Sequence, residues 1–278
     1  MTWSPKTALV TGASSGIGRG VALALAKRGV LVIAVARRAD KLDELASQTG
    51  GNLVPLPLDL ADDVQVGALA NELVERGLTV DVLINNAGYA CAGPVETVPL
   101  AAVRRQFDVN LIGLVGVTQA VLPGMRKSGR GRIVNVSSVA GILSLPFLGI
   151  YCASKFALEG LSDALRLELR PFGIEVALVE PAAIASDFAN ITLDQSRHVP
   201  ASDAYAQWYD PQRLHAASEA NAVPIELAVA EVLRVATEPK VALRTVFPAR
   251  GKRLVAMKGL LPTRLMDHSI ARRFGLDE

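Results

Sequence analysis

Tyr151 and Lys155 stand four residues apart in "YCASK", and Ser138 closes "IVNVSS" 13 residues upstream. On a helix, positions i and i+4 share a face, so a phenol and an ammonium can reach one small molecule together. That pair suits the reduction of a carbonyl by hydride transfer, which leaves an alkoxide in need of a proton. A free tyrosine titrates near ~10, too high for neutral pH. A lysine ammonium close by, aided by the charge of an oxidised nicotinamide, favours the phenolate and is expected to lower that value. Ser138, at a strand end, can donate to the carbonyl oxygen as charge builds on it. Taken alone, Y-x-x-x-K is a weak signal.

A second stretch gains meaning beside it. "TALVTGASSGIGRG" (7–20) is a strand running through glycines into a helix. Without a Cβ, Gly12, Gly16 and Gly18 let backbone amides approach a pyrophosphate, and a helix starting near Gly16 points its positive dipole end at that anion. The spacing G-x3-G-x-G differs from the usual G-x-G-x-x-G dinucleotide fingerprint, and a tight βα turn with no ligand would read alike. After the second strand, where an NAD-selective site places an acid on the ribose 2′-hydroxyl, the chain has Arg37 and Arg38. Two guanidinium groups there suit a 2′-phosphate and favour NADP(H) over NAD(H), although a loop arginine pair can equally be solvated surface. Asp59, after the third strand, either contacts adenine or caps a helix.

These residues need a scaffold. Short apolar runs recur at 7–11, 30–36, 52–58, 80–85, 132–137, 174–180 and 243–247, with little polar alternation. Helical spacing fills the gaps: Ile17, Val21 and Leu25 before a stop at Gly29, then 40–49, 62–76, 99–128, 151–170 and 224–237. Buried parallel strands alternating with helices predict an α/β fold with a doubly wound parallel sheet. No linker or repeat divides the 278 residues, so one domain is expected. Residues 187–223 show no regular pattern, and 250–278 carry seven basic and three acidic side chains among scattered apolar ones. Segments of this sort usually cover a ligand crevice or meet a neighbouring subunit. The basic tail has a third option, a membrane surface.

Composition narrows the function. With 29 basic and 27 acidic residues the net charge of +2 gives no case for nucleic acid. Cys91 and Cys152 read as thiols in a reducing compartment, and the N-terminus lacks a secretory pattern, so the expected location is cytoplasmic. Ile133–Ser154 has no charge over 22 residues. Its Asn, Ser, Gly and Pro content nevertheless excludes a spanning helix. Residues 109–125 are apolar all round and suit a core or a subunit interface. His198, His215 and His268 have no metal spacing, and no acid at helical distance is expected for them.

"TGASSGIG" (11–18), "NNAG" (85–88), Asn110 in "FDVNLIG", "IVNVSS" (133–138) and "YCASK" (151–155) resemble the short-chain dehydrogenase/reductase family, over roughly residues 5–186 and in the right order. The resemblance implies a single Rossmann-like domain with a seven-stranded parallel sheet, in a homodimer or homotetramer built on the long helices. It implies that Tyr151 is the general acid/base, that Lys155 binds the nicotinamide ribose and lowers the tyrosine pKa, and that Ser138 orients the carbonyl. Asn110 would hold a water linking Lys155 to solvent; by itself it reads equally well as a helix-interrupting residue. The cofactor would meet Gly12, Ser14, Ser15, Gly16, Ile17 and Gly18 in the turn, with Arg37, Arg38, Asp59 and Leu60 beyond it. Asn86, Ala87 and Gly88 would line its adenosine side, and Pro181, Ala182, Ile184 and Ser186 its nicotinamide end. One departure is "EPAAIAS": Ala182 stands where the family has glycine and Ser186 where it has threonine, so an altered local backbone is expected.

The sequence therefore points to an NADP(H)-dependent oxidoreductase on a small carbonyl or alcohol, in the steroid and retinol dehydrogenase branch. The apolar "ILSLPFLGI" suggests a hydrophobic substrate. A 3-oxoacyl thioester reductase, a redox-sensing NADP(H)-binding module without turnover, and a related lyase or epimerase are the alternatives.

Overall fold

The computed structural model describes residues 3–240 and 242–277. Strands and helices alternate in chain order: β1 (Thr7–Thr11), α1 (Gly16–Lys27), β2 (Leu31–Ala36), α2 (Ala39–Ser47), β3 (Leu53–Pro57), α3 (Asp63–Glu75) and β4 (Val82–Asn85). There follow α4 (Leu100–Phe107), α5 (Gly113–Ser128), β5 (Gly131–Val136), α6 (Gly149–Leu169) and β6 (Ile174–Pro181). The last third holds α7 (Phe188–Ser196), α8 (Pro211–Glu219), α9 (Ile225–Thr237), β7 (Arg244–Phe247), α10 (Ala249–Leu260) and α11 (Thr263–Phe274).

The seven strands form one sheet in the order β3-β2-β1-β4-β5-β6-β7, and each neighbouring pair is parallel. β2, "LVIAVA", is buried at every position but Leu31, as expected of a strand covered on both faces. One face packs Val21, Leu25, Leu42, Leu45 and Val232. The other packs Leu69, Leu73, Val117, Val121 and Met125. The strand order reverses between β1 and β4, and in open α/β sheets ligands bind at the carboxyl ends beside such a reversal. Gly12 follows β1 there and Asn86 follows β4.

Three sequence expectations change. Residues 187–223 are not patternless, since they build α7 and α8. Residues 250–278 form most of α10 and α11. The 109–125 run is not buried all round: Val117, Val121 and Met125 face the core while Ile112 is exposed. Leu100–Ser128, with mean hydropathy 1.3, is long and apolar enough to span a membrane by length and composition. Ile133–Ser154 instead becomes β5, a loop and the start of α6.

Candidate active site

Ser138 lies two residues past β5, and Tyr151 and Lys155 occupy the first two turns of α6. All three are buried. The Ser138 hydroxyl accepts from the Ala140 amide (3.1 Å) and donates to the Pro181 carbonyl (3.3 Å), which ties the ends of β5 and β6 together. Lys155 Nζ donates to the Val136 carbonyl at 2.8 Å. Burial pushes the Tyr151 phenol up to about 12, with the Ser138 hydroxyl pulling the other way. Burial also brings the Lys155 ammonium down to about 8, against the charge of Glu159. The expected lowering of the tyrosine belongs to the site with an oxidised nicotinamide alongside. In the protein alone burial is the largest influence and acts the other way, while the Lys155 ammonium is engaged by a backbone carbonyl.

Of the two readings left open for Asn110, the structure shows the helix interruption. A single π turn, Asp108–Ile112, interrupts the long helix between α4 and α5, and its buried Asn110 points at the site. Asn110 Oδ1 accepts from Tyr89 N (3.2 Å), and Nδ2 donates to Tyr89 O (3.0 Å) and Ser154 Oγ (3.2 Å). Extra residues inserted in a helix at functional positions are the usual setting of a π turn. Gly88 completes the contact: a Cβ there would lie 3.3 Å from Asn110 Oδ1 and 3.7 Å from Lys155 Nζ.

The glycine turn is built on a threonine that the sequence reading passed over. Thr11 Oγ1 accepts from the amides of Asn86 and Ala87 (3.0 Å each), and Asn86 Nδ2 donates to Thr11 O (3.0 Å). Gly12 and Gly16 adopt φ of +68° and +57°. A Cβ on Gly18 would sit 2.4 Å from both Asn86 Nδ2 and Gly12 O, so only glycine fits. Ser15 begins α1 with no side-chain cap, and no acid lies in the first turn. Those free amides suit an anion.

Around the turn, Arg38 bends over Ser14, with Nη2 3.0 Å and Nε 3.3 Å from its hydroxyl. Arg37 is exposed on the same loop. Asp59 caps no helix; α3 is capped by Asp62, which accepts from Val64 and Gln65. Asp59 accepts from Ala61 N and pairs with Arg105 at 3.0 Å. Burial opposes its ionisation, yet the Ala61 amide and Arg105 outweigh it and hold the carboxyl below its ordinary range. Leu60 is buried beside it, and in α5 a Cβ on Gly113 would strike Leu60 O at 2.1 Å.

At the other end Ala182 is not in the left-handed region, so its methyl causes no backbone strain there. Its amide donates to Phe247 O (2.9 Å). Ile184 makes a parallel bridge with Val223, joining the two ends of the 187–223 segment. The Ser186 hydroxyl accepts from Phe188 N at 3.4 Å, at the start of α7.

Tyr151 opens into a narrow cavity of about 80 Å³. Leu148, Phe188, Leu193 and Leu214 give it an apolar wall, and His215 and Ser218 add polar groups. α7 and α8 supply most of these. His215 does have an acid one turn on: Nδ1 is 3.7 Å from Glu219 Oε2, and Nε2 is 2.9 Å from Asn190 Oδ1. A wider open hollow, about 720 Å³, lies between α1 and α9 and touches none of Ser138, Tyr151 and Lys155.

Behind Lys155 on α6 sits Glu159, and behind that a charge cluster. Arg244 pairs with Glu159, with Glu180 (2.8 Å) and with Asp163 (2.7 Å). Burial first, then the like charge of Glu159, raises the Glu180 carboxyl to about 7 despite Arg244. An unfolded glutamate loses its proton near 4.5, whereas the folded one keeps it to about 7. The folded state therefore binds more protons across that window and loses stability as pH rises through it. Glu180→Gln cannot titrate and is expected to flatten this part of the curve of Tm against pH. An unchanged slope in thermal melts from pH 4.5 to 7 would assign the proton elsewhere.

A doubly wound sheet with an open glycine turn at its switch point, a buried serine just past β5 and a buried tyrosine and lysine on the helix that follows define a Rossmann-type oxidoreductase. The comparisons agree: the family described as short chain dehydrogenase matches residues 6–196, and this chain belongs to it. Human retinol dehydrogenase 8 is 38% identical over 222 residues, 77% of this chain and 69% of that protein. A short-chain dehydrogenase from Streptomyces avermitilis superposes with a TM-score of 0.80 at 32% identity, covering 97% of each chain. A closed form of serine dehydrogenase complexed with NADP+ gives 0.77 at 27% identity, over 88% of this chain and 95% of that one.

Proposed function

We propose that this protein interconverts a hydrophobic ketone or aldehyde and its alcohol using NADP(H). The observation that carries the reading is Tyr151 in the wall of an apolar cavity, with the Ser138 hydroxyl beside its phenol and Lys155 one turn further along the same helix. The reduced nicotinamide, when bound, supplies the hydride that forms the new C–H bond at the carbonyl carbon. Ser138 then orients the carbonyl oxygen, and Tyr151 gives it the phenolic proton. Lys155, released from Val136 O, would hold the nicotinamide ribose and stabilise the phenolate left behind, and Asn110 would hold a water that links Lys155 to solvent. Oxidation of the alcohol runs the same steps backwards.

The residues fit a dinucleotide. Uncapped amides of α1 and the open space beside Gly16, where a Cβ would meet nothing within 4 Å, suit the pyrophosphate, with Ser14, Ser15 and Ile17 around it. Asp59, Leu60, Asn86, Ala87 and Gly88 border the adenosine side, and Pro181, Ala182, Ile184 and Ser186 the nicotinamide side. α7 and α8 act as the lid over the substrate. Retinol dehydrogenase 8 among the relatives supports an apolar substrate, as do Phe188, Leu193 and Leu214. Exposed Leu100, Ile112 and Leu167 on the long helices support pairing with a second copy.

The test is a panel of ketones, aldehydes and alcohols of increasing apolar length, followed at nicotinamide absorbance with NADPH and NADH. Turnover should rise with apolar size. Tight NADPH binding with no turnover on any member would leave the redox-sensing alternative. For the cofactor, charge-assisted hydrogen bonds worth about 1.5–3 kcal/mol predict a loss of NADPH affinity of about 10- to 100-fold in the R37A/R38A double variant, with NADH little changed. Unaltered KM values for both cofactors would remove the arginine pair from the 2′-phosphate site.

A further inference from the structure

Residues 256–265, "AMKGLLPTRL", form the corner where α10 turns into α11, and all ten are exposed. Four are large and apolar: Met257, Leu260, Leu261 and Leu265, with Leu260 83% exposed. Single exposed leucines are ordinary, but four in nine residues at one corner are a patch. The run contains Lys258 and Arg264 and no acid. Charge is also segregated. Residues 250–278 hold seven basic and three acidic side chains, while the rest of the chain holds 22 and 24.

The two helices order these groups. Arg253, Met257 and Leu260 fall at i, i+4 and i+7, and Leu265 and Arg272 at i and i+7, so each apolar stripe runs back from the corner to an arginine. Seven residues of helix span ~10 Å. That is the depth at which an apolar tip lies in the headgroup and acyl boundary while arginines reach back to phosphate. The opposite sides of the helices are occupied. Met266 and Gly251 are buried, Lys258 bonds Ile142 O and lies 5.0 Å over the Phe156 ring, and Phe274 packs on Phe147 at 6.3 Å.

We infer that the α10–α11 corner is an interfacial anchor that seats Met257, Leu260, Leu261 and Leu265 in an anionic lipid bilayer. Basic helices with an apolar tip complement a negatively charged surface, and the bilayer is the partner that takes four leucine-sized groups without a shaped pocket. The helix pair covers the 142–148 loop, whose Leu148 lines the Tyr151 cavity, so docking brings that loop to the lipid. The inference stands apart from the reaction proposed above, and its test reads no activity.

The test is co-sedimentation of the full chain with vesicles of phosphatidylcholine containing phosphatidylglycerol, against phosphatidylcholine alone. Partition is expected to be at least tenfold greater on the anionic vesicles and to fall with added salt, which screens the arginines. L260D/L261D should lose at least tenfold of it with an unchanged melting temperature and mass by light scattering. The milder L260S/L261S pair should move the same way, and R253Q/R272Q should lose the salt-dependent part. No partition on anionic vesicles, or equal partition of wild type and L260D/L261D, overturns the inference. So does a variant that splits an oligomer while keeping its lipid binding, which would assign the corner to a second copy.

Discussion

Tyr151→Phe leaves the fold and NADPH binding intact and lowers kcat for carbonyl reduction by about 10³-fold, within the 10²–10⁴ range of a positioned general acid. The substitution removes one oxygen. The ring keeps its packing against Phe188, with centroids 5.6 Å apart, and its place in α6. Only the proton donor is lost, together with its interaction with Ser138, which costs about 1 kcal/mol of stability. Water cannot readily replace the donor, because Tyr151 is buried and the cavity before it is small and apolar-walled. The direction of the pH dependence follows from the raised pKa. With the phenol pushed up to about 12, the protonated form that reduction needs persists through neutral and mildly alkaline pH. Alcohol oxidation, which needs the phenolate, should rise with pH and level off above the pKa that Tyr151 has beside the bound oxidised cofactor, whose positive charge lowers it. Steady-state kcat in both directions and NADPH binding by fluorescence check this. Undiminished turnover in the variant would sink the tyrosine mechanism.

Most of the scaffold was legible because its strands are buried on both faces. A run such as "IEVALVE" has little to be but a core strand, and β6 spans Ile174–Pro181. The candidate site residues were legible as short, contiguous motifs whose neighbours are fixed by the chain itself. What escaped was non-local. Arg38 on Ser14 and Arg105 on Asp59 join residues 24 and 46 positions apart, and nothing in one sequence announces either pair. Desolvation escaped too: burial raises Tyr151 in the protein alone, a contribution that an argument from the neighbouring lysine and cofactor leaves out. Helices α7 and α8 were missed for a different reason. Each has nine residues, too few to show a period. Yet "YDPQRL" did carry a start signal, an N-cap Asp followed by Pro at the first helical position, and Asp210 accepts from Gln212 N at 2.8 Å. Glu219 one turn after His215 was legible and overlooked.

Arg132→Ala should cost about 3–5 kcal/mol, at about 1–3 kcal/mol for each of two helix-end carbonyls left without a donor, out of a total stability of about 5–15 kcal/mol. Arg132 is 1% exposed and lies near the start of β5. Its Nη1 donates to Val235 O (2.8 Å) and Glu238 O (2.7 Å) at the end of α9, and Nε bonds Glu175 Oε2 (2.8 Å) on β6. The guanidinium also lies 4.5 Å over the Trp3 ring, whose Nε1 donates to Ala236 O. One side chain therefore joins two strands, a helix end and the N-terminal segment. A cation at a helix C-terminus gains from the dipole as well as from the carbonyls it satisfies. Glu175 is half exposed, so its ion pair contributes little; the loss comes from the two helix-end carbonyls left without their donor. Arg132→Met keeps much of the volume and should cost less, and Arg132→Lys can serve only part of the fork. Thermal melts should show the alanine variant falling by on the order of 10 °C. The position of Arg132 makes a further demand. Six residues of strand, roughly 20 Å, separate it from Ser138 at the catalytic end, so kcat measured well below the melting point should not move. A variant that lost activity along with stability would mean that α9 and the β5 base also set the geometry of the site.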